Sequence, residues 1–104
     1  MTFLAFCRDG SDKRVERAAA LDAHLAYIRS ILDSVAVAGP WLAGSGQLVA
    51  GSCFLYHTDD RAEAEALLYN DPYYQAGIYD EVTLVPFRDV AGTWVGGLRL
   101  PPRR

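Results

Sequence analysis

Residues 35–57 read Val-Ala-Val-Ala-Gly-Pro-Trp-Leu-Ala-Gly-Ser-Gly-Gln-Leu-Val-Ala-Gly-Ser-Cys-Phe-Leu-Tyr-His, two apolar runs around a Gly-Ser-Gly-Gln turn. The first run, Val35 to Ala38, is short and partly β-branched, and it predicts a strand that Gly39-Pro40 ends before Trp41-Leu42. The second, Leu48 to His57, is extended and mainly apolar, so the two runs predict a β-hairpin turning over Gly44–Gln47. Gly51, inside the second run, marks either a bulge or the close approach of a ligand.

Each side of this hairpin reads as a helix. From Arg14 to Asp33 there is no Gly or Pro, and Leu21, Leu25, Ile28 and Leu32 fall at helical intervals on one face. Downstream, Asp60-Arg61-Ala62-Glu63 reads as a capping-box variant that opens an Ala- and Leu-rich helix to about Tyr69. Asn70-Asp71-Pro72 stops it, because a proline disfavours the helical conformation of the residue before it, and Tyr73 to Gly77 has room for one more turn.

Strands are expected outside the helices as well. Residues 2–8 are apolar and aromatic and are closed by Asp9-Gly10-Ser11-Asp12, while Tyr79 to Val90 alternates, with Pro86 indicating an edge or bulged position. The order β-α-β-β-α-β is that of an α+β ferredoxin-like sandwich, an antiparallel sheet with both helices on one face. The other face is left uncovered and carries aromatic residues, which predicts a partner, most simply a second copy in a homodimer. Residues 1–90 then form the domain, and 91–104 a C-terminal extension. Trp94, Leu98 and Leu100 make that extension too apolar for a solvated tail, so it is expected to pack on its own domain or on a partner subunit.

Composition narrows the function. The chain has 104 residues, 51% hydrophobic and 22% charged, with a net charge of −3, the profile of one globular domain. A chain of this length buries only roughly 65% of its unfolded surface, a further reason to pair. One lysine, Lys13, and scattered arginines, adjacent only at Arg103-Arg104, give no basic stripe, so nucleic acid is not an expected partner. No apolar stretch is long enough to span a bilayer, so no membrane partner is expected. Cys7 and Cys53 lie in apolar strand-like runs and read as small buried hydrophobes; with no charged-then-apolar leader, a cytoplasmic setting is expected. Cysteines and histidines at positions 7, 24, 53 and 57 match no common ligand pattern, so neither a metal nor another cofactor is expected.

His24 is the residue best suited to chemistry. It sits at the margin of the first helix's apolar face, three after Leu21 and four before Ile28, and an imidazole is the side chain whose ordinary pKa lies nearest neutrality. Asp71, at the end of the second helix, opposes the helix dipole and needs a compensating donor, which an imidazole supplies. His57, beside Thr58-Asp59-Asp60, reads as solvent-facing. Tyr73-Tyr74 reads as packing against the first helix, with a pocket lid as the alternative.

Taken together, Arg14, Arg17 and Ala23-His24-Leu25 in the first helix, Ala38-Gly39-Pro40, the Ala/Glu-rich second helix, Asn70-Asp71-Pro72-Tyr73, Gly77-Ile78-Tyr79 and Val85-Pro86-Phe87 resemble the YciI-like (YCII-related) family over residues 2 to about 90. The resemblance implies a ferredoxin-like fold that pairs into a dimeric α/β barrel with a cleft in each subunit. It also implies that His24 and Asp71 are the active-site pair. Most members have no established activity; one branch is a dehydrochlorinase acting on a chlorinated hydroxyquinol, and the related muconolactone isomerases share the fold. A small, often aromatic or lactone-like substrate and proton-transfer chemistry are therefore implied. Asp22, two residues before the histidine, departs from many relatives, which carry proline or arginine nearby.

On this reading Asp71 accepts Nδ1–H of His24 and leaves Nε2 as a general base, a device that contributes about 10²–10⁴-fold. Element order offers Phe6 or Arg8, Pro40, Ser52 and Tyr79 as substrate-binding residues, with Arg8 able to neutralise an enolate or phenolate. The reading is thus a cofactor-independent lyase or isomerase. The alternatives are a non-catalytic small-ligand-binding or stress-related dimer and a purely structural or regulatory partner module in which His24 and Asp71 do not meet.

Overall fold

The strand and helix patterns are realised in the order read from the sequence. In a computed structural model that describes residues 2–99, the elements run β1 (Thr2–Asp9), α1 (Arg14–Ser30), β2 (Val35–Ala43), β3 (Leu48–Tyr56), α2 (Arg61–Tyr69), α3 (Pro72–Gln75) and β4 (Tyr79–Phe87). The four strands form one antiparallel sheet in the order β2-β3-β1-β4. This is the ferredoxin-like arrangement, and it puts β1 and β3 in the centre.

Register decides which side chains share a face. Phe3, Ala5 and Cys7 of β1 stand opposite Tyr56, Phe54 and Ser52 of β3. These positions are buried, and with Ala64 and Leu68 of α2 they supply the core. Ile28, Ile31, Leu67 and Leu84 pack against it. The intervening pairs, Leu4 with Leu55, Phe6 with Cys53 and Arg8 with Gly51, point to the opposite face, as strand alternation requires.

Three boundaries differ from those the sequence suggests, each for a local reason. Gly39-Pro40 does not end β2, which runs on to Ala43. β2 is an edge strand, so Pro40, paired with Ser52, leaves no ladder hydrogen bond unmade on its free side. Helix α1 stops at Ser30, and a 3₁₀ turn over Leu32–Ser34 leads into β2 in place of a last α-helical turn. β4 ends at Phe87 rather than Val90. Pro86 does lie on an edge strand, since β4 pairs only with β1.

Capping is also simpler than the capping box read from the sequence. Asp60 accepts a hydrogen bond from the Ala62 N–H at 3.0 Å, but its own N–H goes to Thr58 Oγ1 at 3.1 Å and not to Glu63. The apolar stripe of α1 is not sealed into the core either: Leu21 and Leu25 are 42% and 38% exposed. They form one wall of a cleft.

Gly51 does border a bulge, since Trp41 pairs with Gly51 but Leu42 with Val49, leaving Ala50 as an extra residue on β3. The close approach it permits is to a side chain and not to a ligand. The Trp41 indole lies across β3 at this point and donates from Nε1 to the Cys7 carbonyl of β1 at 2.8 Å. A Cβ on residue 51 would lie 1.9 Å from that carbonyl oxygen and 2.2 Å from the indole nitrogen. Phe6 stacks on Trp41 at 4.8 Å and the Arg8 guanidinium covers it at 5.0 Å, so the open face carries a fixed aromatic group.

Beyond β4, β5 (Ala91–Gly92) and β6 (Gly97–Leu98) form a two-stranded ribbon around a 3₁₀ turn at Thr93–Val95. This segment and the open sheet face, through Leu4, Leu55, Phe87 and Trp94, bound an apolar cavity of about 690 Å³. Leu100 and the paired arginines at 103 and 104 lie outside the described residues.

Candidate active site

The cleft lies on the helix side of the sheet, between α1 and the edge strand β2, and has a volume of about 290 Å³. Most of its wall is apolar. Arg17 and His24 enter it from α1, Pro40 from β2, Ser52 and Phe54 from β3, and Tyr73 from α3.

His24 and Asp71 meet here, 47 residues apart in sequence: Nδ1 of the imidazole is 2.7 Å from Oδ1 of the carboxylate. Their side chains are 13% and 1% exposed, so water competes little for the contact. Local structure fixes both partners. Asp71 is not an acid stranded at a helix C-terminus, as the sequence suggests: Asn70 ends α2, and Asp71 is the N-cap of α3, with Pro72 at the first helical position. Its Oδ1 accepts the Tyr73 N–H at 2.9 Å. That amide can only donate, so Oδ1 accepts from it; with Asp71 ionised, Oδ1 accepts from the imidazole as well, which puts the ring proton on Nδ1 and leaves Nε2 bare in the neutral tautomer.

Oδ2 of Asp71 is buried with no partner among the described residues, as is the Tyr56 hydroxyl. The field of this carboxylate reaches its neighbours. Burial, and after it the charge of Asp71, push the hydroxyls of Tyr56 and Tyr27 above the ordinary tyrosine range, so both stay protonated. The Tyr27 hydroxyl donates to the Leu67 carbonyl at 2.6 Å, tying α1 to α2 beside the pair.

Tyr73 sets the ring plane of His24. The two rings are parallel within 4° with centroids 3.8 Å apart, and the Arg17 guanidinium lies 4.9 Å from the same tyrosine ring. Arg17 and His24 are seven residues, two turns or about 10.5 Å, apart along α1, and the Tyr73 ring fills the interval between them. Packing against the first helix is therefore its role. Tyr74 turns away to Tyr69, with centroids 4.8 Å apart.

Arg17, which the sequence marks only through the family resemblance and not as a site residue, is the charged group of the cleft beside the pair. Nε and Nη2 form a fork onto Asp9 at 2.6 and 3.1 Å, and Nη2 also donates to Ser52 Oγ at 2.8 Å. Burial works against its charge, but the hydrogen bond and charge of Asp9 outweigh it and hold the guanidinium above its ordinary pKa. Spacing was the available signal, since residues 17, 21, 24 and 28 share one helix face. Tyr79, expected to line the cleft, reaches it through Ser52, with 2.9 Å between the two hydroxyls.

Pro40 and Ser52 line the cleft as expected. Phe6 and Arg8 do not. Both alternate onto the opposite sheet face, where Arg8 pairs with Glu81 at 3.3 Å, so it cannot neutralise an anion beside His24. His57 borders the cavity on that opposite face. Neither cysteine is disulfide-bonded, and Cys7, at the base of the core, has its thiol pushed up to about 12, chiefly by burial.

The chain is thus a small α+β sandwich in which a buried carboxylate–imidazole pair opens on a helix–sheet cleft. The YCII-related domain model matches residues 1–88, and the chain belongs to that family. Among solved structures, 5-chloro-2-hydroxyhydroquinone dehydrochlorinase (TftG) from Burkholderia phenoliruptrix AC1100, in complex with 2,5-dihydroxybenzoquinone, is similar with a TM-score of 0.78 and 27% identity, over 89% of this chain and 97% of that one. No curated protein matches the chain. Among the described residues, no helix is long and apolar enough to cross a membrane.

Proposed function

We propose that the protein is a cofactor-independent lyase or isomerase in which His24 is the general base and Asp71 its orienting carboxylate. The observation that carries this is the 2.7 Å contact between Nδ1 and Oδ1, made by an oxygen already fixed by the Tyr73 amide. With Nδ1 protonated, Nε2 is free to take a proton from a bound molecule, and the imidazolium formed is offset by Asp71. A cleft of about 290 Å³ suits a single-ring compound. Similarity to a dehydrochlorinase supports elimination chemistry on such a ring.

Two further readings go with it. Pro40 and Ser52 contact the substrate, and Tyr79 acts through Ser52. The chain works as a homodimer joined through the open sheet face, which is supported by Phe6, Val37, Val85 and Phe87 standing about two-fifths exposed there in one copy.

Turnover or solvent-deuterium exchange of single-ring enols, chlorinated phenols and lactones tests the reading. His24→Gln should lower the rate by about 10²–10⁴-fold while the protein stays folded. A ring compound that binds tightly but is never altered, or a His24→Gln variant as active as the parent, would instead favour a ligand-binding role.

A further inference from the structure

The hydroxyl of Ser52 is committed on its acceptor side. A serine oxygen has two lone pairs and one proton. Arg17, which can only donate, occupies one lone pair from 2.8 Å, and Tyr79 occupies the second from 2.9 Å. Burial is the main cause that pushes the Tyr79 hydroxyl above the ordinary tyrosine range, so it keeps the proton it donates to Ser52. Ser52 is itself 4% exposed, on the helix-facing side of β3, and what surface it has belongs to the cleft it shares with His24. No protein acceptor takes its proton among the described residues.

We propose that Ser52 is the oxygen-binding donor of this cleft: its hydroxyl, saturated from behind by Arg17 and Tyr79, points its proton at a carbonyl, enol or phenol oxygen of a planar single-ring substrate. Arg17 and Tyr79 are positioning residues in this arrangement, and they also polarise the hydroxyl, since donation to an oxygen strengthens the hydrogen bond its own proton makes. The inference deepens the general-base reading and rests on it for the chemical step. Nε2 of His24 takes the proton from a carbon beside a carbonyl, the C–H pair becomes the new carbon–carbon π bond, and the carbonyl π pair moves onto oxygen. Charge thus develops on the oxygen that Ser52 holds, where a fixed donor is most effective.

Ser52 also selects. The rest of the wall is mostly apolar, from Leu21 and Ile28 to Phe54, with the Tyr73 hydroxyl as its other neutral side-chain donor, and a ring without an acceptor oxygen leaves the Ser52 proton unpaired.

The test is an absorbance titration of the full chain with 2,5-dihydroxybenzoquinone, a coloured planar ring with acceptor oxygens. The parent protein should bind it with a shifted visible band. Ser52→Ala should weaken binding on the order of 10–100-fold and return the band to its free position. Ser52→Thr, which keeps the hydroxyl, should stay within a few-fold of the parent. Tyr79→Phe should lose a few-fold in affinity and part of the band shift, a spectroscopic change that a purely structural role would not produce. If Ser52→Ala does not fold, Ser52→Cys, whose thiol is a weak donor, provides the same comparison. No binding by the parent, or equal affinity and an equal band in the variant lacking the hydroxyl, overturns the proposal. His24→Gln separates the two ideas: it should bind the probe nearly as the parent does, and its retention of full proton-exchange activity would defeat the general-base reading without touching Ser52.

Discussion

At Asp71 one oxygen serves two neighbours, capping α3 through the Tyr73 amide and orienting His24. Asp71→Asn keeps an acceptor for both but removes the charge that offsets an imidazolium. It should cost on the order of 10²-fold in rate, with little change in melting temperature, as measured by steady-state kinetics and thermal unfolding. Cys7 gives a second test at this scale. Its thiol is raised from 9.0 to about 12, largely by burial. A group with a raised folded pKa stabilises fully below the unfolded value and loses that contribution as pH climbs toward the folded one. Stability should therefore be flat through neutrality and fall above about pH 9, by about 1.4 kcal/mol per pH unit from this group. Cys7→Ala should flatten the onset of that fall in thermal melts at increasing pH. His24 and Asp71 stand out in the sequence as a lone imidazole at a helix margin and a proline-fixed acid, and the family resemblance makes them the active-site pair. Element order also places Pro40 and Ser52 in the cleft, but Phe6 and Arg8 were assigned by strand, and the sequence did not say which parity of β1 faces the helices.

At the scale of elements, β2 shows how context overrides punctuation. Gly39-Pro40 reads as a stop, yet on an edge strand it costs nothing, and the strand continues far enough to place Trp41 over Gly51. The bulge expected at Gly51 is present beside it, at Ala50, but the group that approaches the glycine is a tryptophan from the neighbouring strand, a contact no periodicity reveals. Gly51→Ala would drive a Cβ into backbone, and it should destabilise by about 1–3 kcal/mol or more in denaturant unfolding. Trp41→Phe, which removes the hydrogen bond to Cys7 but relieves the crowding, should cost about 1 kcal/mol. A Gly51→Ala protein as stable as the parent would show that the indole does not occupy that position. Helix α1 makes the complementary point. Its leucine stripe predicts the helix well, but Leu21 and Leu25 of that stripe line the cleft beside His24 and are not sealed into the core.

For the whole molecule, the order of elements was enough to name the sandwich, since a central hairpin between two helices and two outer strands has few compact solutions. What it leaves open is the far sheet face. Leu4, Val37 and Phe87 there are covered only in part by the ribbon of β5 and β6, whereas Leu55 is buried. If a second copy completes that face, Val85→Lys should shift the protein from dimer to monomer in sedimentation equilibrium; an unchanged mass would place the interface elsewhere.

The central claim concerns one proton. Nitrogen-resolved NMR of the ¹⁵N-labelled protein, at a pH where the imidazole is neutral, reports which nitrogen of His24 carries it. A single tautomer is expected, with the proton on Nδ1 and Nε2 bare, relaxing toward a mixture in Asp71→Asn. A proton found on Nε2 would contradict it, because the nitrogen meant to act as the base would already be occupied.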